Sequence, residues 1–349
     1  GTVSIPASDF ENGSSDNCFL NLTRTVKKGT DPATPFATSV TFACGEVGVQ
    51  TVTYRVRESG GQLEGTATCT VTINDVTKPT VNCPPQVEID LSSTGTAVLQ
   101  AVNVGASATD NCANPVILDG ISLVVTGPFV PSLSLDCAQA TSNQILSVRF
   151  SDGNGNTRLC NTNLFVNDVT PPSFSITNAT TTNECGAAMP TPVFVVNDVC
   201  DGTALVPTVL STVETPGTCQ GEKTTTITYQ VQDLSNNTAT AIFIVTTHDN
   251  TAPNLTIPAD VTLSLSNYAG CNPVETYTAT ATDGCTSAGT LSANSEWFLE
   301  LADNTTQSGV GLSVTPAGGF RKGDNYITYT VVDDCGNESE ATIKITVVD

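Results

Sequence analysis

Thr224-Thr225-Thr226-Ile227-Thr228-Tyr229-Gln230-Val231-Gln232 is followed by Asp233-Leu234-Ser235-Asn236-Asn237 and then by a second run, Thr238–Thr246. In the first run Ile227, Tyr229 and Val231 fall on every second residue, the period of a half-buried strand. The five residues between the runs are mostly turn formers, so the stretch reads as a β-hairpin. Three further tips repeat the arrangement: Arg57-Glu58-Ser59-Gly60-Gly61, Ser151-Asp152-Gly153-Asn154-Gly155-Asn156 and Asp333-Asp334-Cys335-Gly336-Asn337. Helical periodicity is nearly absent; only Ser295–Asp303 suits a turn or two of helix.

Working outward from the hairpins, each β-rich run ends in a common linker. The three copies are Asn74-Asp75-Val76-Thr77-Lys78-Pro79, Asn167-Asp168-Val169-Thr170-Pro171-Pro172 and His248-Asp249-Asn250-Thr251-Ala252-Pro253. A proline so placed cannot continue a central strand, so it marks an extended hand-over between modules. The linkers recur at intervals of roughly 80–100 residues, a whole domain and longer than a solenoid unit. A second signal lies inside each interval: Asp16-Asn17-Cys18, Asp110-Asn111-Cys112, Asp198-Val199-Cys200 and Asp283-Gly284-Cys285. The expected fold is all-β: tandem immunoglobulin-like β-sandwich modules in an elongated array, at residues 1–75, 76–168, 169–249 and 250–349. Gly1 stands as far before Cys18 as Gly95 stands before Cys112. The first module is therefore expected to lack its first strand, the counterpart of Asp75–Thr94, as a segment of a longer array would.

Composition narrows the function. The 349 residues carry 12 Lys+Arg against 34 Asp+Glu, a formal charge of −22, yet only 13% are charged and 39% are hydrophobic. An acidic disordered tail would be richer in charge and poorer in core residues. The negative charge argues against nucleic acid and anionic membrane surfaces as partners and favours cations. No stretch is apolar for long enough to insert in a membrane. Thirteen cysteines without paired C-x-x-C motifs point to an oxidising, extracellular or cell-surface location.

The cysteines are assigned module by module. Cys83 follows a linker and Cys160 lies on a last strand; terminal strands of a sandwich are often neighbours, so these two are paired. Cys112 and Cys137 pair by remainder. By analogy Cys18 pairs with Cys44, and Cys69, which corresponds to Cys160, stays unpaired. In the later modules the short separations favour Cys185–Cys200 and Cys271–Cys285, leaving Cys219 and Cys335 unpaired. Cys200–Cys219 with Cys271–Cys335 is the competing assignment.

Asp-x-Thr-x-Pro linkers, Cys83-Pro84, Asp-Asn-Cys, the Gly-Asn tips and a cysteine on a final strand together resemble hyalin-repeat (HYR) modules. In particular they resemble HYR-like arrays in giant surface proteins of gliding and filamentous Bacteroidetes. Module two fits best; module three lacks the final-strand cysteine, and module four has Ile257-Pro258 where Cys-Pro is expected. The resemblance implies an immunoglobulin-like fold, secretion to the cell surface, and a role in adhesion or in an extracellular fibre.

Calcium is the ion an acidic extracellular junction would suit, since it takes six to eight oxygen ligands. The candidates are the linker residues Asp75, Asp168 and Asp249, each of which could meet side chains from a neighbouring hairpin tip or from an Asp-x-Cys loop, such as Asp110 or Asp283. The plainer reading of the same residues is that Asp caps its own turn. Catalysis finds little support: the only imidazole is His248, beside a linker, and no triad or zinc site can be built from it. The expected function is therefore a structural and adhesive repeat segment, a stiff stalk or filament, with neighbouring modules or copies of itself as partners. Strand donation between copies is one form of such assembly. The alternative is a carbohydrate-binding accessory array of a secreted hydrolase, for which the single Trp297 is the natural platform, although a lone Trp in a sandwich more often packs a core.

Overall fold

The structure, a computed structural model, describes residues 1–13, 21–60, 63–112 and 115–349. The expected Asp16-Asn17-Cys18 turn and Gly61 lie outside the described residues. The chain forms two units, Gly1–Thr170 and Pro171–Asp349, and each is built from hairpins whose strands are all-β sandwich layers.

In the first unit, strand Gly48–Glu58 pairs antiparallel with Glu64–Ile73 on one side and with Leu22–Lys28 on the other. Thr2–Pro6 pairs with Ser39–Ala43 in a second layer. Apolar residues from both layers close the space between them: Val26, Val40, Phe42, Val52 and Tyr54 are buried in one cluster. After the Asp75 linker the order is richer. The hairpin Gln144–Ser151/Thr157–Asn167 takes Ile117–Ser122 on one edge and, on the other, Gln86–Asp90 running parallel to Asn163–Asn167. Thr96–Gln100 pairs with Ser132–Asp136 in the opposing layer. Along Thr157–Asn167 every second side chain from Cys160 to Val166 is buried, the period of a strand with one face on a core. Fully burying an aliphatic such as Leu164 contributes roughly 1.5–3 kcal/mol.

The second unit repeats the scheme. Lys223–Gln232 and Thr238–His248 form the quoted hairpin, flanked by Thr208–Pro216 and by Thr180–Glu184, which runs parallel to Ile244–His248. Gly323–Val332 and Glu338–Val348 form the last hairpin, with Val261–Ser264 parallel to its outer strand. Ser295–Glu300 is a strand between Gly323–Val332 and Thr306–Val310, not the expected helical turn. Pairing on both edges outweighs its weak helical pattern. The helix lies just before it, Ala288–Ala293, capped by Ser287, whose hydroxyl accepts from the Thr290 N–H.

The tips at Asp152, Asp233 and Asp333 share one construction. Asp152 Oδ1 accepts from the N–H groups of Asn154 (2.8 Å) and Asn156 (3.1 Å), and its Oδ2 from Asn156 Nδ2 (2.6 Å). Asp333 does the same with Cys335 and Asn337, each bond at 2.8 Å. The third residue after each aspartate adopts positive φ: Gly155 at 100°, Gly336 at 92° and Asn236 at 72°. Glycine and asparagine are the residues that tolerate that conformation, which explains the tip grammar.

Three aromatic positions before the tips are structural. Tyr54 donates to Glu11 Oε2 (2.7 Å) and Tyr329 to the Tyr277 carbonyl (2.9 Å). Tyr229 packs edge-on against Phe194. Burial pushes the Tyr329 phenol up to about 12. Trp297 is half-buried against the core of its layer. Its indole lies over Gly309, where a Cβ would approach the ring within 2.5 Å.

Candidate cation-binding junctions

Within each unit the linker aspartate meets the Asp-x-Cys loop of the module that follows it. Asp75, Asp110 and Cys112 have side-chain ligand atoms within 4.8 Å of one another, and so do Asp249, Asp283 and Cys285. The local sequence dictates this placement. Asp110 Oδ1 accepts from the Cys112 N–H (3.0 Å), and Asp283 Oδ1 from those of Cys285 (2.7 Å) and Thr286 (2.8 Å). Linker aspartates cap their own turn in the same way: Asp75 Oδ1 accepts from Thr77 N and Asp249 Oδ1 from Thr251 N. One carboxylate oxygen in each loop is thus spent on the backbone.

The second oxygen is different. Asp249 is 5% exposed, and its Oδ2 is buried without a hydrogen-bond partner; Asp110 Oδ2 is likewise buried and unpartnered. An ionised oxygen in that state is costly unless a cation or a proton compensates it. Burial pushes the Asp249 carboxyl above the ordinary carboxylate range, and the charges of Asp283, Asp333 and Glu184 add to the effect against the Thr251 N–H. The donors fit a hard cation. They are carboxylate oxygens, whereas the sulfur of Cys285 is bonded to Cys185 and offers no thiolate for zinc. Of the sequence candidates, Asp75 is brought to Asp110 and Asp249 to Asp283. Asp168 is buried, with Oδ1 accepting from Thr170 N at 3.0 Å.

A hairpin tip meets each of these two linker aspartates, as the sequence led one to expect, but the asparagines that make the contact were not singled out. Asn156 Nδ2 donates to the Asp75 carbonyl (2.9 Å) and Asn154 Nδ2 to Asp75 Oδ2 (3.3 Å). Asn337 Nδ2 donates to the Asp249 carbonyl (3.1 Å). Glu184 was also missed; it accepts from Asn250 N (2.7 Å) and Thr251 Oγ1 (3.1 Å) and so grips the linker from the side. The shared Asp-x-x-[Gly/Asn]-Asn pattern was the available signal. His248 lies at the end of its strand with Nδ1 3.4 Å from Glu222 Oε1.

Disulfides reinforce the same places, and several expected pairs are corrected. Cys83 is bonded to Cys160. Cys44, however, is bonded to Cys112, which displaces both Cys18–Cys44 and Cys112–Cys137; Cys18 lies outside the described residues. Cys185 is bonded to Cys285, in place of Cys185–Cys200 and Cys271–Cys285. Cys219 and Cys335 are bonded to each other; neither is left over, and neither takes part in the competing assignment. Cys137 and Cys200 are also disulfide-bonded. Cys69 and Cys271 are exposed thiols. The physical reason is position: these cysteines occupy turns at module ends, so the nearest sulfur lies across the linker. Their Cα–Cα distances of 4.9, 5.8 and 5.1 Å are ordinary for a disulfide. Bonding on this scale belongs to an oxidising compartment and marks an extracellular segment. Among the described residues no helix is long and apolar enough to cross a membrane.

No protein-family model matches the chain. It is similar to hyalin of Strongylocentrotus purpuratus, 26% identical over 309 residues, covering 87% of this chain and 23% of that protein. It is also similar to hyalin of Lytechinus variegatus, 27% identical over 315 residues, covering 86% of this chain and 52% of that protein. The chain therefore spans about a quarter and about half of the relatives it matches, and its modules are hyalin-repeat-like. Solved structures that resemble it include Sidekick-1 immunoglobulin domains 1–5, at 9% identity, 94% of this chain and 74% of that one, with TM-score 0.35. Drosophila N-cadherin EC1–4 matches at 12% identity, 99% and 98% coverage, with TM-score 0.27.

Proposed function

We propose that this chain is a structural and adhesive segment of a cell-surface protein, a stalk or filament built from four hyalin-repeat-like modules at residues 1–75, 76–168, 169–249 and 250–349. The observation that carries the reading is the repeated junction, where a linker aspartate, an Asp-x-Cys loop and a disulfide meet within each unit. Such a construction holds successive sandwiches to one another, which a catalytic domain has no need of and a load-bearing array does. Similarity to hyalin over most of the chain supports the repeat reading. The linker and Cys-Pro motifs support a setting among the surface proteins of filamentous and gliding Bacteroidetes.

Calcium is the proposed junction ion. Asp249 and Asp283 in one unit, and Asp75 and Asp110 in the other, would supply carboxylate oxygens, and the ion would neutralise charge that is otherwise buried and uncompensated. Asp168 is proposed for the same role from its place in the linker repeat. Neighbouring modules and copies of the same chain are the proposed partners. Beads coated with residues 1–349 test the adhesive reading. Aggregation in millimolar calcium that reverses on chelation is the expected result; beads that stay dispersed in both conditions would overturn it.

A further inference from the structure

Four positions are equivalent by their place before a tip. Tyr54, Val148, Tyr229 and Tyr329 each stand four residues ahead of the tip acid, Glu58, Asp152, Asp233 or Asp333. Each faces a residue on the strand that flanks its hairpin: Val26, Ile121, Val209 and Trp297 respectively. Three of those four are covered on their far side by the chain's own backbone, always antiparallel. Val26 exchanges two main-chain bonds with Ala37 (2.7 and 2.9 Å), Ile121 does so with Val130 (2.8 and 3.0 Å), and Trp297 pairs with Gly309. Val209 has no such neighbour: Thr208–Pro216 ends its sheet among the described residues. Val209 is 57% exposed, whereas Val26 and Ile121 are fully buried.

The cause lies in the middle of the chain. Ala37, Val130 and Gly309 all come from the segment between the flanking strand and the hairpin that follows it. In the third group that segment is the turn Gly217–Glu222, closed by a bond from Gly217 N to the Glu222 carbonyl (2.8 Å) and tied by Cys219 to Cys335. It is too short to fold back along the strand. The bulge at Leu210 does not forbid a neighbour, since the second group has one between Leu118 and Gly120 and its Ile121 is covered. Charge does not blunt the edge either. The flanking strand of the first group carries Arg24, Lys27 and Lys28, whereas Thr203-Ala204-Leu205-Val206-Pro207-Thr208-Val209-Leu210-Ser211-Thr212-Val213 carries no charge. Val206, Leu210 and Val213 are exposed together with Val209.

We infer that the Val209–Val213 edge is a contact between two copies of this chain, their strands laid antiparallel about a two-fold axis. The three covered groups show that an antiparallel neighbour fits this position, and an antiparallel pairing of a strand with itself closes as an isologous dimer. Charge selects the occupant. A basic partner would gain more from carboxylates elsewhere on a chain of formal charge −22. A second copy carries the same −22 and approaches best where like charges do not face each other. The uncharged strand is such a place. Main-chain bonds across the edge supply affinity and the aliphatic side chains set the register. One strand pair buries little area, so the contact is weak singly and gains strength when several chains are held side by side. The inference rests on the adhesive reading, for which it names the place where copies meet, and it uses neither the calcium junctions nor any cysteine.

Sedimentation of residues 1–349 in chelator is the test, with Cys69→Ser and Cys271→Ser to remove the exposed thiols. The expected result is a reversible monomer–dimer equilibrium. Leu210→Lys with Val213→Lys sets like charges across the edge and should weaken the dimer by about tenfold or more. Phe298→Lys charges an exposed aromatic of the fourth group and should leave the dimer unchanged. Ser211→Cys, at the centre of the stretch, should form an interchain disulfide on oxidation at least about tenfold faster than Phe298→Cys. A wild type that stays monomeric up to its solubility limit would overturn the inference. So would a folded double-lysine variant that dimerises as well as wild type, an equal loss in Phe298→Lys, or equal rates for the two cysteine variants. Coated beads separate this inference from the reading beneath it. Double-lysine beads that still aggregate in calcium would overturn the edge and leave adhesion standing. Wild-type beads that stay dispersed would overturn adhesion, while sedimentation still decides the edge.

Discussion

The side-chain amide of Asn337 donates to the backbone carbonyl of Asp249 across 3.1 Å, and Asn156 does the same to Asp75 across 2.9 Å. In both units the tip of one hairpin thereby holds the linker that precedes its own module. Because the same asparagine also closes its tip onto Asp333 or Asp152, it couples tip geometry to linker position. Asn337→Ala and Asn156→Ala should each cost about 1–3 kcal/mol, since a part-buried carbonyl and a carboxylate lose a donor together. Calorimetry should show the loss as a fall of several degrees in Tm.

Calcium should raise the Tm of the whole chain and a chelator should lower it. Asp249→Asn gives the sharper test because its effect should change sign. Without calcium the substitution removes one crowded charge from beside Asp283, Asp333 and Glu184, so the variant should melt above the wild type. With saturating calcium it should melt below, having lost a ligand. Parallel shifts of both proteins would remove Asp249 from the site.

The Cys219–Cys335 and Cys185–Cys285 bonds close overlapping loops of sequence separation 116 and 100. Cys219→Ser with Cys335→Ser should lower stability by about 2–4 kcal/mol, chiefly by freeing the unfolded chain. Removing the second bond as well should cost more than the first alone, because the surviving bond no longer limits the loop. Urea unfolding of the single and double knockouts measures both steps.

Acid should weaken the turn that presents Cys44. Both Glu46 oxygens accept from Lys28 Nζ at 2.6 Å, and Oε2 also accepts from Ala43 N at 2.9 Å. The lysine bond first, then the backbone bond, hold this carboxyl below its usual 4.5. A depressed value in the folded state means that its contribution is present above 4.5 and is lost as pH falls through the depressed value. Glu46→Gln should therefore melt below wild type at neutral pH, by no more than about 1 kcal/mol for so exposed a pair. The gap should close on acidification, as thermal melts between pH 7 and pH 3 would show.

Hairpins and linkers were legible because they rest on local rules. Ile227, Tyr229 and Val231 declare a strand by their spacing, and Asp-x-x-[Gly/Asn]-Asn declares a tip by its backbone needs. Cysteine pairing was not legible beyond Cys83, just before the strand Gln86–Asp90, and Cys160, on the strand parallel to it in the same sandwich. Cys44, Cys185 and Cys219 find partners across a linker, and which turn faces which depends on how two modules meet. Nothing in fifteen or so neighbouring residues encodes that. The acid clusters were half legible: the linker repeat drew attention to Asp75 and Asp249, whereas Glu184 reaches its site only through the parallel pairing of its strand. Ser295–Glu300 shows the opposite failure, a weak local pattern overruled by partners on both edges.

Cys185–Cys285 and Cys219–Cys335 both bridge the stretch that contains Asp249 and Pro253. A protease that cut this linker would therefore release nothing. The two fragments would stay joined by two covalent ties and would migrate as a single species until a reductant was added. For a segment exposed to secreted hydrolases, a cut in this linker is thus one that costs the array little.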